Sequence, residues 1–283
     1  MEDWLSFHNV TSLFTQNHGK QPRADFLFIQ ISILALVGTA SLIFFRSLTK
    51  KNATNLMKSF GIRIKKIARA SMEIERKAFH LTGLGVPLAH HISTSYFGWS
   101  KEHFVKFCWF CTISIWVGDV FRVLVPSSMD YYPYKLLSDI IRKKEVGALS
   151  GTCYFSLGST LAVALFPPAV AMTSITWLVV GDMSAALIGV SFGGETCSLK
   201  MGREGRKSLE GSVAMFVSCT AVGLVFFSGV RLSDYAVIIG SLASTLVELY
   251  EPFGINDNIT IPFVGGAVLQ WALARVENCV SNK

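Results

Sequence analysis

Charge is scarce in this sequence. Only 16% of its 283 residues are Asp, Glu, Lys or Arg, against about a quarter in soluble globular domains, and that deficit argues against an ordinary soluble enzyme. Acidic groups are the scarcer kind, 19 against 26 basic ones, for a formal net charge of +7. Cysteine offers little metal or redox chemistry. Cys108 and Cys111 form a CxxC inside an apolar run, and no second pair accompanies it, so packing is the reading. Several catalytic signatures are missing as well. There is no HExxH, no Ser-His-Asp arrangement and no GxGxxG after a strand. A P-loop is absent, because Arg206 stands where a glycine must precede Lys207 and no strand comes before it.

What the chain has instead is hydrocarbon. It is 51% hydrophobic with a mean hydropathy of +0.45. Runs near 20 apolar residues, the length that crosses a bilayer, are clear at Phe26–Phe45. Further runs occur at Ala78–Phe97, Phe104–Val125, Gly151–Phe166, Ala169–Val190, Leu209–Ser228, Asp234–Tyr250 and Ile259–Arg275. The expected fold class is all-α, a polytopic integral membrane protein with about eight transmembrane helices. Pro167-Pro168 marks a turn between two spans. Phe26–Phe45 reads as a retained anchor, since the preceding residues lack a signal-peptide pattern.

Charge is also segregated. With alternating loops and an external N-terminus, Arg46–Lys77, Pro126–Ser150 and Ser191–Ser208 carry eighteen Lys or Arg on one side, against five on the other. The positive-inside rule makes those three loops cytoplasmic. Anionic lipid headgroups and phosphates are their expected partners, and no nucleic acid is needed. Lys50–Arg76 alternates apolar and basic positions as an amphipathic helix on the membrane surface would. Three regions follow: 1–45, an N-terminal segment with the first anchor; 46–74, a basic amphipathic cytoplasmic segment; and 75–283, a catalytic membrane domain.

Five stretches converge on the predicted cytoplasmic face: "ERKAFH", "GDVFRVL" with "RKKEVGALSG", "GDMSAALIG", "GRKSLEGS" and "ELYEPFGINDNITIP". Asp182 is a carboxylate in an apolar span, which costs about 2.5–3.5 kcal/mol on insertion scales and so is usually functional. On a helix it shares a stripe with Ala185, Ala186 and Gly189, small residues that leave room for a partner. A salt bridge to the buried Arg122 is the structural alternative. Arg206, Lys207 and Ser208, flanked by Gly205 and Gly211, suit a phosphate; Ser208 is also a helix-cap candidate. Glu248, Glu251 and Asp257 add carboxylates, and Mg²⁺ commonly takes one or two of these while keeping phosphate oxygens and waters. Arg76 and Lys77 open the second span as either anchors or nucleotide contacts. The expected metal ligands are Asp182, Glu248 and Asp257.

With these residues assembled, the chain resembles the CTP-dependent diacylglycerol kinase family, with dolichol and phytol kinases and, more distantly, CDP-diacylglycerol synthases as relatives. The resemblance runs over "RKAFH", "DVFRVLVP", "VGALSGTCYFSLG", "GDMSAALIG", "RKSLEGSVAMF" and "NDNITIP". It implies nucleotide or catalytic roles for Arg76, Lys77, Asp182, Gly189, Lys207 and Ser208, with Asp257-Asn258 as a further match. Met183 and the long "GGETCSLKMGREG" loop depart from the usual pattern and bear on the acceptor. The expected reaction moves a phosphoryl group from CTP, with Mg²⁺, to a membrane lipid alcohol. That alcohol is diacylglycerol first, or an isoprenoid alcohol such as dolichol or phytol. Cytidylyl transfer to phosphatidate and a transporter are the competing readings. The setting would be the endoplasmic-reticulum membrane in a eukaryote or the inner membrane in a bacterium, and a homo-oligomer is compatible with either.

Overall fold

A computed structural model describes residues 79–130, 147–192, 201–202, 207–228, 230 and 233–281. The anchor Phe26–Phe45, the amphipathic segment, Arg76, Lys77, Gly205 and Arg206 lie outside the described residues. Among the described residues there is no β-strand, and the one β-pairing is an isolated bridge between Met201 and Lys207.

A 3₁₀ stretch, Phe79–Leu84, leads into α1, Gly85–Ser95. Then come α2, Lys101–Leu124, and α3, Gly151–Leu165. Pro167 is extended and Pro168 takes the first position of α4, Pro168–Thr176, where its missing N–H and fixed φ cost nothing. The expected turn at this proline pair is therefore present. A wide π turn, Trp177–Gly181, joins α4 to α5, Asp182–Phe192. The bundle ends with α6, Leu209–Phe226, α7, Ser233–Tyr250, and α8, Asp257–Ser281.

Four helices are long and apolar enough to cross a membrane: α2, α4 with α5 as one 25-residue unit, α6, and Asp257–Glu277 of α8. The expected count of about eight is not reached among the described residues. The reason is length for α1 and α3, at 11 and 15 residues, while α7 dilutes its apolar run with serines, a glycine and Glu248. The outside is nevertheless oily. On α2, Phe107, Phe110, Ile113, Val117 and Phe121 are exposed, whereas Thr112, Asp119 and Arg122 are buried. Polar groups inward and hydrocarbon outward is the arrangement a bilayer selects.

Trp177 organises the centre. Its ring is fully buried and its Nε1 donates to the Cys219 carbonyl at 2.6 Å. Three helices leave it space at Gly223, Gly240 and Gly265. A Cβ on them would meet the ring at 3.1, 2.7 and 3.4 Å respectively. Because Trp177 opens the π turn that ends at Gly181, this socket fixes the start of α5 and therefore Asp182. Across the bundle, Pro262 cannot donate to the Asn258 carbonyl within α8. Gly158 of α3 packs directly against that carbonyl, which brings the beginning of α8 to α3.

Candidate active site

Asp182 is the first residue of α5 and is 5% exposed. The stripe below it does not stand open. A Cβ on Gly189 would meet Ser208 Oγ at 3.1 Å, and one on Gly211 would meet the Ala185 carbonyl at 2.8 Å. The expected room beside Ala185 and Gly189 is thus taken by the first turn of α6. Small residues here let two helix backbones approach, a correction to the expectation that this stripe leaves room for a bound partner. Arg122, the alternative partner for Asp182, forms its ion pair with Asp119 instead, at 2.6 Å.

Ser208 is the N-cap of α6, its Oγ accepting from the Gly211 N–H at 3.2 Å. The capping role expected of it is observed. One residue earlier, Lys207 exchanges both backbone hydrogen bonds with Met201 at 3.1 Å. Its ammonium donates to Glu248 Oε1 and lies 3.4 Å from Glu251 Oε1. Gly202 makes that reach feasible. It sits at φ +80°, and a Cβ there would strike Lys207 Cγ at 2.7 Å and the Leu249 carbonyl at 2.9 Å. Glu251, closing α7, is itself left-handed at φ 44°, where a side chain is strained by roughly 1–3 kcal/mol.

Asp257 begins α8, its Oδ1 accepting from the Asn258 N–H at 2.9 Å. A carboxylate in a first turn also faces the positive end of the helix dipole. Burial alone would lower the Lys207 pKa; the charge and hydrogen bond of Glu248, together with the charges of Asp257 and Asp182, turn the shift upward. Asp182, Lys207, Glu248 and Asp257 therefore belong to one electrostatic unit drawn from α5, the α6 entry loop, α7 and α8. Arg76, Lys77 and Arg206 are not placed, since they lie outside the described residues.

The donor set suits a phosphate-bound divalent cation in one respect and not another. Among the described residues no three His, Cys, Asp or Glu side chains group tightly enough to hold a metal on their own. Glu248, expected as a ligand, is occupied by Lys207. Asp182 and Asp257 are the other two carboxylates beside Lys207, and Mg²⁺ commonly takes one or two carboxylates when phosphate oxygens and waters fill its other positions.

A second polar cluster centres on Asp119, which the sequence offered only within the stretch "GDVFRVL". Asp119 accepts from Arg122 Nε through Oδ1 and from the Ser150 N–H through Oδ2 at 2.7 Å, while Arg122 also donates to the Ala148 carbonyl at 2.7 Å. The cluster pins the start of α3 to the end of α2. Its signal was available as an Asp and an Arg three residues apart inside an apolar run.

No known family's model matches the chain, and no solved structure does. An uncharacterized protein of Rickettsia prowazekii is 37% identical over 134 residues, covering 45% of this chain and 62% of that protein. CTP-dependent diacylglycerol kinase 1 of Schizosaccharomyces pombe is 24% identical over 169 residues, 56% of this chain and 75% of the relative. The Saccharomyces cerevisiae protein of that name is 26% identical over 215 residues, 67% and 70%. The chain thus spans less than two thirds of the rickettsial relative's length. The kinases of these two fungi and of Eremothecium gossypii match 55–67% of this chain at 24–26% identity, so the chain is similar to CTP-dependent diacylglycerol kinases.

Proposed function

We propose that this protein transfers the γ-phosphoryl group of CTP to the free hydroxyl of diacylglycerol at the membrane surface, giving phosphatidate and CDP. The observation that carries the reading is the unit around Lys207, a half-buried cation paired with Glu248 and Glu251 and under the charge of Asp182 and Asp257, in a chain similar to kinases that bear this name. In the reaction the lipid oxygen bonds to the γ-phosphorus, the bond from that phosphorus to the β–γ bridging oxygen breaks with its electron pair staying on CDP, and the hydroxyl proton passes to water. Such transfers depend on positioning and charge stabilisation more than on covalent help. Lys207 neutralises triphosphate charge, and incoming phosphate competes with Glu248 for its ammonium. Arg76, Lys77 and Arg206 are proposed as further phosphate contacts, and Ser208 and Gly211 shape the loop that holds the nucleotide. Asp182 and Asp257 would hold Mg²⁺, which when bound supplies charge neutralisation at the phosphate oxygens. The proposed site faces the cytoplasm.

The test is membranes expressing the protein, offered CTP labelled at either the α or the γ phosphate, together with diacylglycerol, phytol or polyprenol. The expected result is label in phosphatidate from γ-labelled CTP alone. Label transferred from the α position would replace this reading with cytidylyl transfer. Label entering phytol or polyprenol in preference would change the acceptor.

A further inference from the structure

A cavity of about 280 Å³ lies between α1, α2 and α3, close to the lower end of ligand-sized pockets, about 300–1,000 Å³. Gly85, Ala89, Phe104, Cys108 and Phe155 give it an apolar lining. Phe107 and Ile115 also line it and belong to the exposed apolar surface of α2, so its mouth is on the hydrocarbon side of that helix. Three of the hydroxyls along its wall are bonded within the protein. Thr112 and Thr160 bond each other at 2.8 Å, and Ser156 donates to the Cys153 carbonyl at 2.9 Å. Ser159 differs. It lines the cavity, is 3% exposed, and its Oγ has no hydrogen-bond partner, an arrangement that costs about 1–3 kcal/mol when nothing fills it.

We infer that this cavity holds an acyl chain of the lipid substrate, with Ser159 donating to an ester carbonyl. This rests on the lipid-kinase reading above. The small-residue stripe beside Asp182 is closed by α6, so the lipid needs another berth, and this one opens to the bilayer. The lone hydroxyl also distinguishes acceptor classes. Ser159 follows Gly158, which packs on the Asn258 carbonyl one residue from Asp257, so α3 carries Ser159 at the level of the carboxylate site. An acylglycerol presents its reacting hydroxyl to that site and still has ester oxygens for Ser159. A polyprenol has a single oxygen, and the reaction uses it.

Two variants and one probe test this with the full chain in lipid vesicles. Ser159→Ala removes a hydroxyl that holds nothing in the protein, so the thermal midpoint should stay constant or rise. The KM for diacylglycerol should increase about 2- to 10-fold, the range of one neutral hydrogen bond, while the KM for CTP stays put. Gly85→Leu projects into open space, since nothing lies within 4 Å of a Cβ there. It should raise the lipid KM further without loss of folding. The probe is diacylglycerol carrying a diazirine in one acyl chain. Cross-links are expected in Phe104–Ile115 and Thr152–Thr160, reduced by Gly85→Leu and by unlabelled diacylglycerol but not by polyprenol. Cross-links elsewhere, or competition by bulk phospholipid as strong as by diacylglycerol, would overturn the inference. Cross-linking at these residues without any CTP-dependent phosphorylation would sink the kinase reading and leave the acyl site standing. An unchanged lipid KM in both variants would sink the acyl site and leave the kinase.

Discussion

Neutralising either member of the Lys207–Glu248 pair should separate what this lysine does for folding from what it does for chemistry. Glu248 is 4% exposed at its side chain and Lys207 is 24% exposed. Removing one partner of a fully buried pair costs about 3–5 kcal/mol, chiefly because the other charge is left uncompensated. Lys207 retains some water and keeps Glu251 at 3.4 Å, so Glu248→Gln should cost less, about 2–3 kcal/mol. Lys207→Met leaves Glu248 charged and buried and should cost as much or more. The double variant, Lys207→Met with Glu248→Leu, should recover most of either loss, because apolar replacement of a buried pair is often neutral. Thermal or denaturant unfolding of purified protein in micelles, arranged as a double-mutant cycle, measures the coupling. CTP turnover is read in parallel. If Lys207 contacts the triphosphate, the double variant regains stability and remains inactive. On the alkaline side the pair should hold. A lysine whose folded pKa lies above its ordinary 10.5 contributes fully below that value and weakens only beyond it. Single variants as stable as the parent, or turnover restored together with stability, would refute the assignment of Lys207 to both roles.

Three further outcomes follow from named contacts. Gly202→Ala should lower stability by about 1 kcal/mol or more from its positive φ alone, and should reduce turnover by displacing Lys207; equal turnover at saturating CTP would contradict the latter. Glu251→Gly should relieve backbone strain of about 1 kcal/mol and raise the unfolding midpoint while weakening activity, a trade measured by calorimetry beside the kinase assay. Trp177→Ala should cost about 3–5 kcal/mol. Gly240→Ala should also destabilise, since its Cβ would meet the ring at 2.7 Å.

Hydropathy made the helices legible because it is a property of each segment by itself. The runs predicted at Gly151–Phe166, Ala169–Val190, Leu209–Ser228 and Asp234–Tyr250 differ from α3, α4–α5, α6 and α7 by a few residues at their ends. Ser208 announced its cap through the local pattern, as Pro167-Pro168 announced its turn. Relations between segments stayed hidden. Gly223, Gly240 and Gly265 are separate spacers in the sequence, and only the fold turns them toward one indole. Glu248 read as a metal ligand because its chemistry allows that, yet the chain turns it to Lys207, 41 residues away. The stripe at Ala185 and Gly189 was found correctly as a stripe. Its use by α6 depended on Gly211, whose own small size carries meaning only across the interface.

The wide turn at Trp177–Gly181 has a consequence for register. An α-helix advances about 100° per residue, and a π turn is the trace of one residue inserted into that progression. Everything after Gly181 is therefore rotated by about one residue's step relative to what an unbroken helix would present. At present Gly181 packs against Cys219 and Met215 of α6, and the carboxylate follows one step later. Deleting a single residue from the turn would shift the phase of all eleven residues of α5 together, carrying Asp182 to another azimuth while leaving every neighbour in the sequence unchanged. The direction of this carboxylate is set by the count of residues upstream as much as by the residue itself.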